Sequence, residues 1–391
     1  MNILVVSEVY LPTVSGVATS TDSICRFLLS RGHTVTLLCP RYANIDSTIL
    51  PKGMNIVYAP SVSDPFFVGK PMTIFPFGTA AVLRLFLKER FDIIHIQEPA
   101  SLGITALILS KFFHIPTVGA MHFSLEQVAL LIPRILYFVS KIGMRLFIRL
   151  VYPLYDGIMV PTETVVSVAR GILGVKKDIR AVSNGVDTTI FVPVRSLGKN
   201  IVRKKWLIPE NQTVFIYIGR IDKDKNVETT IRALMHTRLT VHLVIAGIGK
   251  HGEALSLYAK KLGLSSRITW IGRVNINEMV ELYQASDCFV ITSPVETQSI
   301  VALQAISCGL PMIAANAGAL PELVKNGENG YLVPAYDDKE IGRRMDELSS
   351  VALRKTMGAK SREMSLLHHK PTALLKLEEF YKDILAERVR S

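Results

Sequence analysis

Short runs of β-branched and aliphatic residues recur along the chain, and the runs of both halves open onto loops rich in glycine or charge. Asn2–Ser7, Val35–Cys39, Ile93–Gln97 and Thr117–Met121 carry the pattern in the first half, and Val214–Ile218, Val241–Ala246 and Ile268–Gly272 in the second. Runs of four to eight apolar residues without alternation read as strands buried on both faces. Such strands belong to parallel sheets covered by helices on each side. The first run opens onto Glu8-Val9-Tyr10-Leu11-Pro12-Thr13-Val14-Ser15-Gly16-Val17, after which Thr19–Leu29 has helical spacing. In open parallel sheets, ligands gather outside the carboxyl ends of the strands. The residues at those exits are therefore the candidates for function.

Four exits stand out. Gly16 either lets backbone approach a phosphate or sugar closely or serves a simple turn. Glu98 and His122 emerge at the ends of the Ile93–Gln97 and Thr117–Met121 runs; a histidine so placed orients or polarises a ligand, or is structural. The Val214–Ile218 run delivers the chain into Gly219-Arg220-Ile221-Asp222-Lys223-Asp224-Lys225-Asn226. Arg220 there offers a planar fork and Lys225 a point charge, the pair that a departing diphosphate needs, or the loop is a solvated charged turn.

The stretch Val295–Pro334, V-E-T-Q-S-I-V-A-L-Q-A-I-S-C-G-L-P-M-I-A-A-N-A-G-A-L-P-E-L-V-K-N-G-E-N-G-Y-L-V-P, is the most specific part of the chain. Ile300, Val301, Leu303 and Ile306 supply the apolar face of a helix that Gly309 ends. Glu296 precedes its start, where unpaired amides attract anions. It can accept hydrogen bonds from a ligand there, or cap its own helix.

Together these segments resemble the retaining GT-B glycosyltransferases of family 4. G-R-x-x-x-x-K-N is met by Gly219, Arg220, Lys225 and Asn226, and E-x7-E is met by Glu296 and departs at Gln304. The resemblance implies two Rossmann-like α/β/α domains facing across a cleft, with the C-terminal helix crossing back to the first domain. It places Arg220 and Lys225 on the donor diphosphate, Glu296 and His122 at the transferred sugar and Gln304 on the nucleotide ribose. Gly16, Gly219, Gly247, Arg273, Gln298, Ser299 and Ile300 complete the implied donor-binding set. Gln304 is neutral and offers one acceptor oxygen where a carboxylate offers two, and Ser299 stands where many members have glycine. Glu296-Thr297-Gln298 is similar to the wording in members that glycosylate diacylglycerol or phosphatidylinositol. The implied donor is UDP-glucose or GDP-mannose.

A length of 391 residues with 49% hydrophobic content suits two cores. We expect one domain at 1–185, a link from Ser183-Asn184-Gly185-Val186-Asp187 to Pro193, a second domain at 194–370 and a final helix within 371–391. Leu374, Leu375, Leu377, Phe380, Tyr381 and Leu385 give that helix its apolar spacing. No sequence repeat relates the two halves.

The net charge of +12 is partly concentrated between Leu125 and Tyr155. Arg134, Lys141, Arg145 and Arg149 lie seven, four and four residues apart, on one helical face, amid Ile135, Leu136, Val139, Ile142, Leu146, Phe147 and Val151. This reads as a basic amphipathic helix on an anionic membrane surface, or as a core helix with a solvated stripe. Four cations less Glu126 leave +3, about 3 kcal/mol at about 1 kcal/mol per charge near anionic lipid. No nucleic-acid module accompanies the basic charge. Scattered Cys25, Cys39, Cys288 and Cys308 suggest a reducing compartment and no zinc. No signal peptide or membrane-length apolar run is seen, so we expect a cytoplasmic enzyme peripheral on the inner face of the cell membrane.

Two patterns point elsewhere. Gly247-Ile248-Gly249-Lys250-His251-Gly252 matches a dinucleotide loop, but Ile268–Gly272 ends in Arg273 with no acid for an NAD ribose, which leaves an NADP oxidoreductase as the alternative of another class. Otherwise Gly247 and Gly249 form a close-approach loop beside the nucleotide. Asp222-Lys223-Asp224 imitates a metal-binding D-x-D, yet Arg220 and Lys225 supply the charge that a metal would bring. Neither metal nor cofactor is expected. A glycosyltransferase for a soluble acceptor and a non-catalytic sugar-nucleotide-binding protein share the same donor residues.

Overall fold

The computed structural model describes residues 1–391 apart from 14, 43–49, 64–70, 74–76, 123–136, 175–176, 194–195 and 391. It divides into two units. The first comprises Met1–Leu125, Phe138–Asn184 and Pro371–Ser391, and the second Glu126–Tyr137 and Gly185–Lys370.

The first unit is built on β1 (Asn2–Val6), β2 (Thr34–Pro40), β3 (Asn55–Ala59), β6 (Ile93–Ile96), β7 (Thr117–Ala120), β8 (Gly157–Val160) and β9 (Ile179–Ala181). They form one parallel sheet in the order β3-β2-β1-β6-β7-β8-β9. The short β4 (Val62–Ser63) and β5 (Pro71–Met72) pair separately as an antiparallel ribbon. Alternate residues of each strand enter opposite cores. Ile3 and Val5 face the layer of the helix Gly16–Ser30, while Leu4 and Val6 face the helices Phe77–Lys88, Ser101–Phe112 and Glu163–Leu173. Strands without a polar face are the direct product of this two-sided burial.

The C-terminal helix Lys370–Arg390 belongs to the first unit, although it follows the whole of the second. Its Leu374, Leu377, Phe380, Tyr381 and Ile384 are buried with Ile3, Val5 and Val118. Each large apolar side chain so buried contributes about 1.5–3 kcal/mol, enough to secure the return. Gly157 on β8 makes room for it, because a Cβ there would lie 2.5 Å from the Phe380 ring and 2.6 Å from Ile384. Ile384 takes the inward place that spacing gives to Leu385, and Leu375 is exposed.

The second unit repeats the plan with six strands, β10 (Thr213–Ile218), β11 (Val241–Ala246), β12 (Ile268–Gly272), β13 (Cys288–Ile291), β14 (Met312–Ala315) and β15 (Gly330–Val333). Their order is β12-β11-β10-β13-β14-β15, all parallel. Val214, Ile216 and Ile218 of β10 enter one core, Phe215 and Tyr217 the other. In both sheets the chain order reverses beside the first strand, between β1 and β6 and between β10 and β13. Loops diverge at such a switch point and leave a crevice for a ligand. The four cysteines are free and buried. Among the described residues, no helix is long and apolar enough to cross a membrane.

Candidate active site

The switch point of the second unit joins two loops that are far apart in sequence. The loop after β10 begins at Gly219, whose φ of 152° excludes most side chains, and runs through a short 3-10 turn, Lys223–Lys225, to Asn226. Asn226 has φ 52°, a left-handed conformation that asparagine tolerates better than most residues. Its Nδ2 donates to Thr292 O at 3.1 Å and to Ala335 O at 2.6 Å. Thr292 returns a hydrogen bond from Oγ1 to Asn226 O at 2.8 Å, and Ser293 Oγ donates to Asp224 O at 3.2 Å. The loops after β10 and β13 are thus stitched by backbone acceptors. They hold their charged side chains in a fixed relation.

Arg220, Lys225, Glu296 and Gly219 meet there. Lys225 Nζ lies 2.8 Å from Glu296 Oε1 and 3.6 Å from Asp224 Oδ2. Arg220 pairs with Asp222 and reaches Asp224 Oδ2 at 3.0 Å. Asp224, almost wholly buried, therefore bridges both cations. Asp222 also accepts from Lys250 N at 2.9 Å. Charge-assisted bonds of this kind are the stronger class of hydrogen bond, so the cations are aimed before any ligand arrives. The Glu296 backbone is fixed as well: Ala319 N donates to its carbonyl at 2.8 Å. Gly318, at φ 55°, lies so near that a Cβ would stand 2.5 Å from that oxygen.

The helix Ile300–Ser307 starts where the spacing of its apolar residues places it. Its cap is Ser299, whose Oγ accepts from Ala302 N at 3.3 Å, not Glu296, which is engaged with Lys225. Gly309 follows the C-cap at φ 74°; its N–H bonds to Ile306 O and that of Leu310 to Ala305 O, a Schellman closure. Gln304 is half-buried and accepts from the Tyr283 hydroxyl at 3.3 Å. Gln298 is buried, and Ile300 opens the helix.

Gly247 and Gly249 have a role inside the protein. A Cβ on Gly247 would stand 1.9 Å from Gly219 O, and one on Gly249 would stand 2.3 Å from Ile221 O. The loops after β10 and β11 run backbone against backbone, joined by Gly219 N to Ala246 O and Ile221 N to Ile248 O. The dinucleotide-like spacing is thus accounted for by loop packing. Arg273 follows β12 and is exposed.

In the first unit, Gly16 is the first residue of a helix capped by Ser15 Oγ, not part of the preceding loop. No described atom lies within 4 Å of a Cβ placed on it, and its φ is not positive. Among the described residues, packing does not demand a glycine there. At the β1–β6 switch point, Glu98 Oε2 accepts from Ser7 Oγ at 3.0 Å and Glu8 N at 3.1 Å. Burial, against the hydrogen bonds from Glu8 N and Ser7, pushes Glu98 up to about 8. Glu8 is itself raised by burial, against hydrogen bonds from Leu102 N and Thr73. His122 leaves β7 with Nε2 2.8 Å from Gln97 Oε1, and burial pushes it down to about 4.

Two family models match this chain. The model described as Glycosyltransferase Family 4 matches residues 14–190, and that described as Glycosyl transferases group 1 matches residues 198–364. The chain belongs to the family 4 glycosyltransferases. The transferase is 26% identical to alpha-monoglucosyldiacylglycerol synthase of Streptococcus pneumoniae, covering 85% of this chain and 75% of that one. It is 27% identical to the GDP-mannose-dependent alpha-mannosyltransferase of Corynebacterium glutamicum, covering 87% and 78% respectively. In fold it is similar to sucrose-phosphate synthase of Thermosynechococcus elongatus, with a TM-score of 0.83, 19% identity and 99% of both chains covered. Membership sets aside the oxidoreductase.

The transferase also displays the helix Tyr137–Val151, followed by a 3-10 turn, Tyr152–Leu154. Ile148 and Tyr152 are buried in the core, with Met144, Phe147 and Val151 packed against it. On the other side Phe138, Ile142, Leu146, Leu150 and Leu154, spaced by four, are exposed. Arg145 and Arg149 are exposed beside them and Lys141 is half-buried; Arg149 Nε donates to Ile172 O at 2.7 Å. Arg134 lies outside the described residues. Sequence reasoning finds the cations and leaves open whether the apolar residues among them meet the core or a membrane; Val139, Ile142 and Leu146 are exposed, while Phe147 and Val151 pack against the core. It misses Asp224 as the bridge between cations, Gly318 as the clamp on Glu296, and the partners of His122. The D-x-D spacing is the available signal for Asp224, although in sequence it reads as an imitation of a metal site.

Proposed function

We propose that this transferase moves a hexose from a nucleotide diphosphate sugar, UDP-glucose or GDP-mannose, to a hydroxyl of a membrane lipid with retention of configuration. The observation that carries the reading is the Lys225–Glu296 pair at 2.8 Å beside Arg220, at the carboxyl ends of β10 and β13. The two cations take the donor diphosphate and stabilise the charge that develops as it leaves. Glu296 holds the sugar hydroxyls and His122 borders the sugar. The bond from the anomeric carbon to the diphosphate oxygen breaks as the acceptor oxygen bonds to that carbon on the same face. The acceptor proton passes to the departing diphosphate, so no dedicated base is required. Gly16 and Gly219 leave the diphosphate room, the start of the helix Ile300–Ser307 contributes amides, and Gln304 and Arg273 lie on the nucleotide side.

Asp222 and Asp224 are already engaged by Arg220 and Lys225, which supports activity without a divalent ion. EDTA should leave the rate unchanged. The exposed apolar stripe of the helix Tyr137–Val151 and its cations support peripheral docking on the inner face of the cell membrane. The name of the pneumococcal relative, alpha-monoglucosyldiacylglycerol synthase, supports the lipid acceptor.

The deciding experiment is a thermal-shift panel of UDP, GDP, ADP, UDP-glucose, GDP-mannose and NADP, since a bound ligand raises stability by mass action. A shift with one nucleotide sugar names the base. A shift with none of them overturns the reading, and binding without turnover that Gln304→Glu restores identifies a protein that holds donor without transferring it. Transfer to a soluble acceptor that ignores liposomes would discard the lipid acceptor.

A further inference from the structure

The loop after β10 carries a carboxylate that the transfer chemistry above does not use. Two cations, Arg220 and Lys225, meet three carboxylates there, those of Asp222, Asp224 and Glu296. Lys223, on the same turn, is exposed and makes none of these contacts. The three carboxylates are not equivalent. The Asp224 side chain is only 2% exposed and its Oδ2 serves both cations, so moving it would strand two charges. Glu296 has its backbone fixed by Ala319 N and Gly318. The Asp222 side chain is 21% exposed and meets Arg220 alone of the two cations, through Oδ2, while its Oδ1 accepts from Lys250 N at 2.9 Å. Arg220, with 48% of its side chain exposed, has both terminal nitrogens engaged, Nη1 by Asp222 and Nη2 by Asp224. A phosphate binds arginine most strongly through two parallel N–H groups, and a carboxylate left beside that phosphate repels it.

We propose that Asp222 is the counter-ion that the donor diphosphate displaces from Arg220, so that this one side chain sets how tightly the nucleotide is held before and after transfer. The proposal rests on the reading of Arg220 as a ligand of the diphosphate. In the donor-free protein Asp222 holds the Arg220 fork at the strand exit. As a phosphate arrives, Oδ2 gives up Nη1 while Oδ1 keeps the Lys250 N–H, so the carboxylate stays at the rim beside the bound anion. Asp224 stays on Nη2 and on Lys225 and keeps both cations aimed. Arg220 is paired before and after the exchange. The repulsion from Asp222 lowers nucleotide affinity, and its return to Nη1 accompanies release of the nucleoside diphosphate.

The test is Asp222→Asn in the full chain. The new amide keeps an oxygen for the Lys250 N–H and turns only donors toward Arg220, so it removes the charge and frees Nη1 together. Isothermal titration with UDP, GDP and ADP compares parent and variant at low salt and in about 1 M KCl, where the Debye length falls to about 3 Å. The nucleoside diphosphate that the parent binds should be held about tenfold tighter by the variant, a change between the aqueous and the surface limits for one charge at ion-pair distance. The gain should shrink severalfold in high salt. A purely structural Asp222, needed to aim Arg220, gives the opposite sign, so equal or weaker binding by the folded variant overturns the proposal and leaves the donor reading standing. A gain that salt does not alter overturns it too, because charge would not be the cause. Arg220→Gln that binds as the parent does overturns the reading beneath it, and binding of none of the three nucleotides by parent or variant overturns both. Should Asp222→Asn fail to fold, Asp222→Ala takes its place and must give the same tightening.

Discussion

At the scale of single residues, Lys225 has two carboxylate partners, Asp224 and Glu296, and this decides what its removal does. Lys225→Met removes the Glu296 partner at 2.8 Å and takes one positive charge from the place where we propose that the diphosphate departs. We expect kcat at saturating donor to fall by about 10²–10³, the usual cost of one charge-stabilising donor. A steady-state transfer assay showing less than a threefold loss would remove Lys225 from the chemistry. Ser299 caps a helix, so its removal should cost stability. Ser299→Ala should cost about 1 kcal/mol in urea unfolding and Ser299→Gly only a few tenths, and Ser299→Gly should leave donor binding intact.

At the scale of elements, the helix Tyr137–Val151 presents apolar side chains to solvent on the side away from its core. An exposed apolar stripe bordered by cations is the form of an interfacial helix. Leu146 and Leu150 are 55% and 63% exposed, so Leu146→Gln with Leu150→Gln should leave the melting temperature unchanged. Sedimentation with anionic vesicles should fall at least about tenfold, as expected when several methylene groups lose contact with lipid. Equal sedimentation of parent and variant would return the helix to an ordinary surface role. The loop pair after β10 and β11 behaves in the opposite way. Gly247→Ala forces a Cβ against Gly219 O at a positive φ, so it should destabilise the second unit, as calorimetry would show, and disturb Arg220 with it.

Across the whole molecule, stability should depend on pH with two opposing signs. His95, His122 and His242 are pushed by burial to about 3, 4 and 4 from 6.5. The unfolded chain therefore binds more protons between about pH 4 and 6.5, and stability falls as pH drops through that window. Glu378, pulled down to about 2 by Lys382 and Arg31, adds to the loss below about 4.5. Glu98 acts the other way: raised from 4.5 to about 8, it holds its proton in the folded state, and its contribution weakens as pH rises through that interval. Urea midpoints from pH 4 to 8 should show acid lability, greatest in the first unit, which holds His95, His122 and Glu378. Glu98→Gln should gain stability over the parent as pH rises toward 8. A gap between them that does not vary with pH would deny Glu98 its raised value.

Much of the fold and of the site is legible in the sequence. Two-sided apolar runs such as Val214–Ile218 and Val241–Ala246 demand covered parallel strands because each face must leave water. Gly219-Arg220 and Lys225-Asn226 mark a charged loop at a strand exit because their chemistry is local. What the sequence could not determine is which distant groups these residues meet. Glu296 stands 71 positions after Lys225 and is brought to it only because β13 pairs with β10 across the switch point. Tyr381 stands 286 positions after His95 and reaches it only because the last helix returns to the first sheet. Periodicity and composition record what a segment must bury or expose; they do not record its neighbours. The role of Gly247 against Gly219, the bridge at Asp224 and the orientation of His122 were decided by tertiary packing, because each depends on a contact that only the folded topology brings within hydrogen-bonding or van der Waals distance.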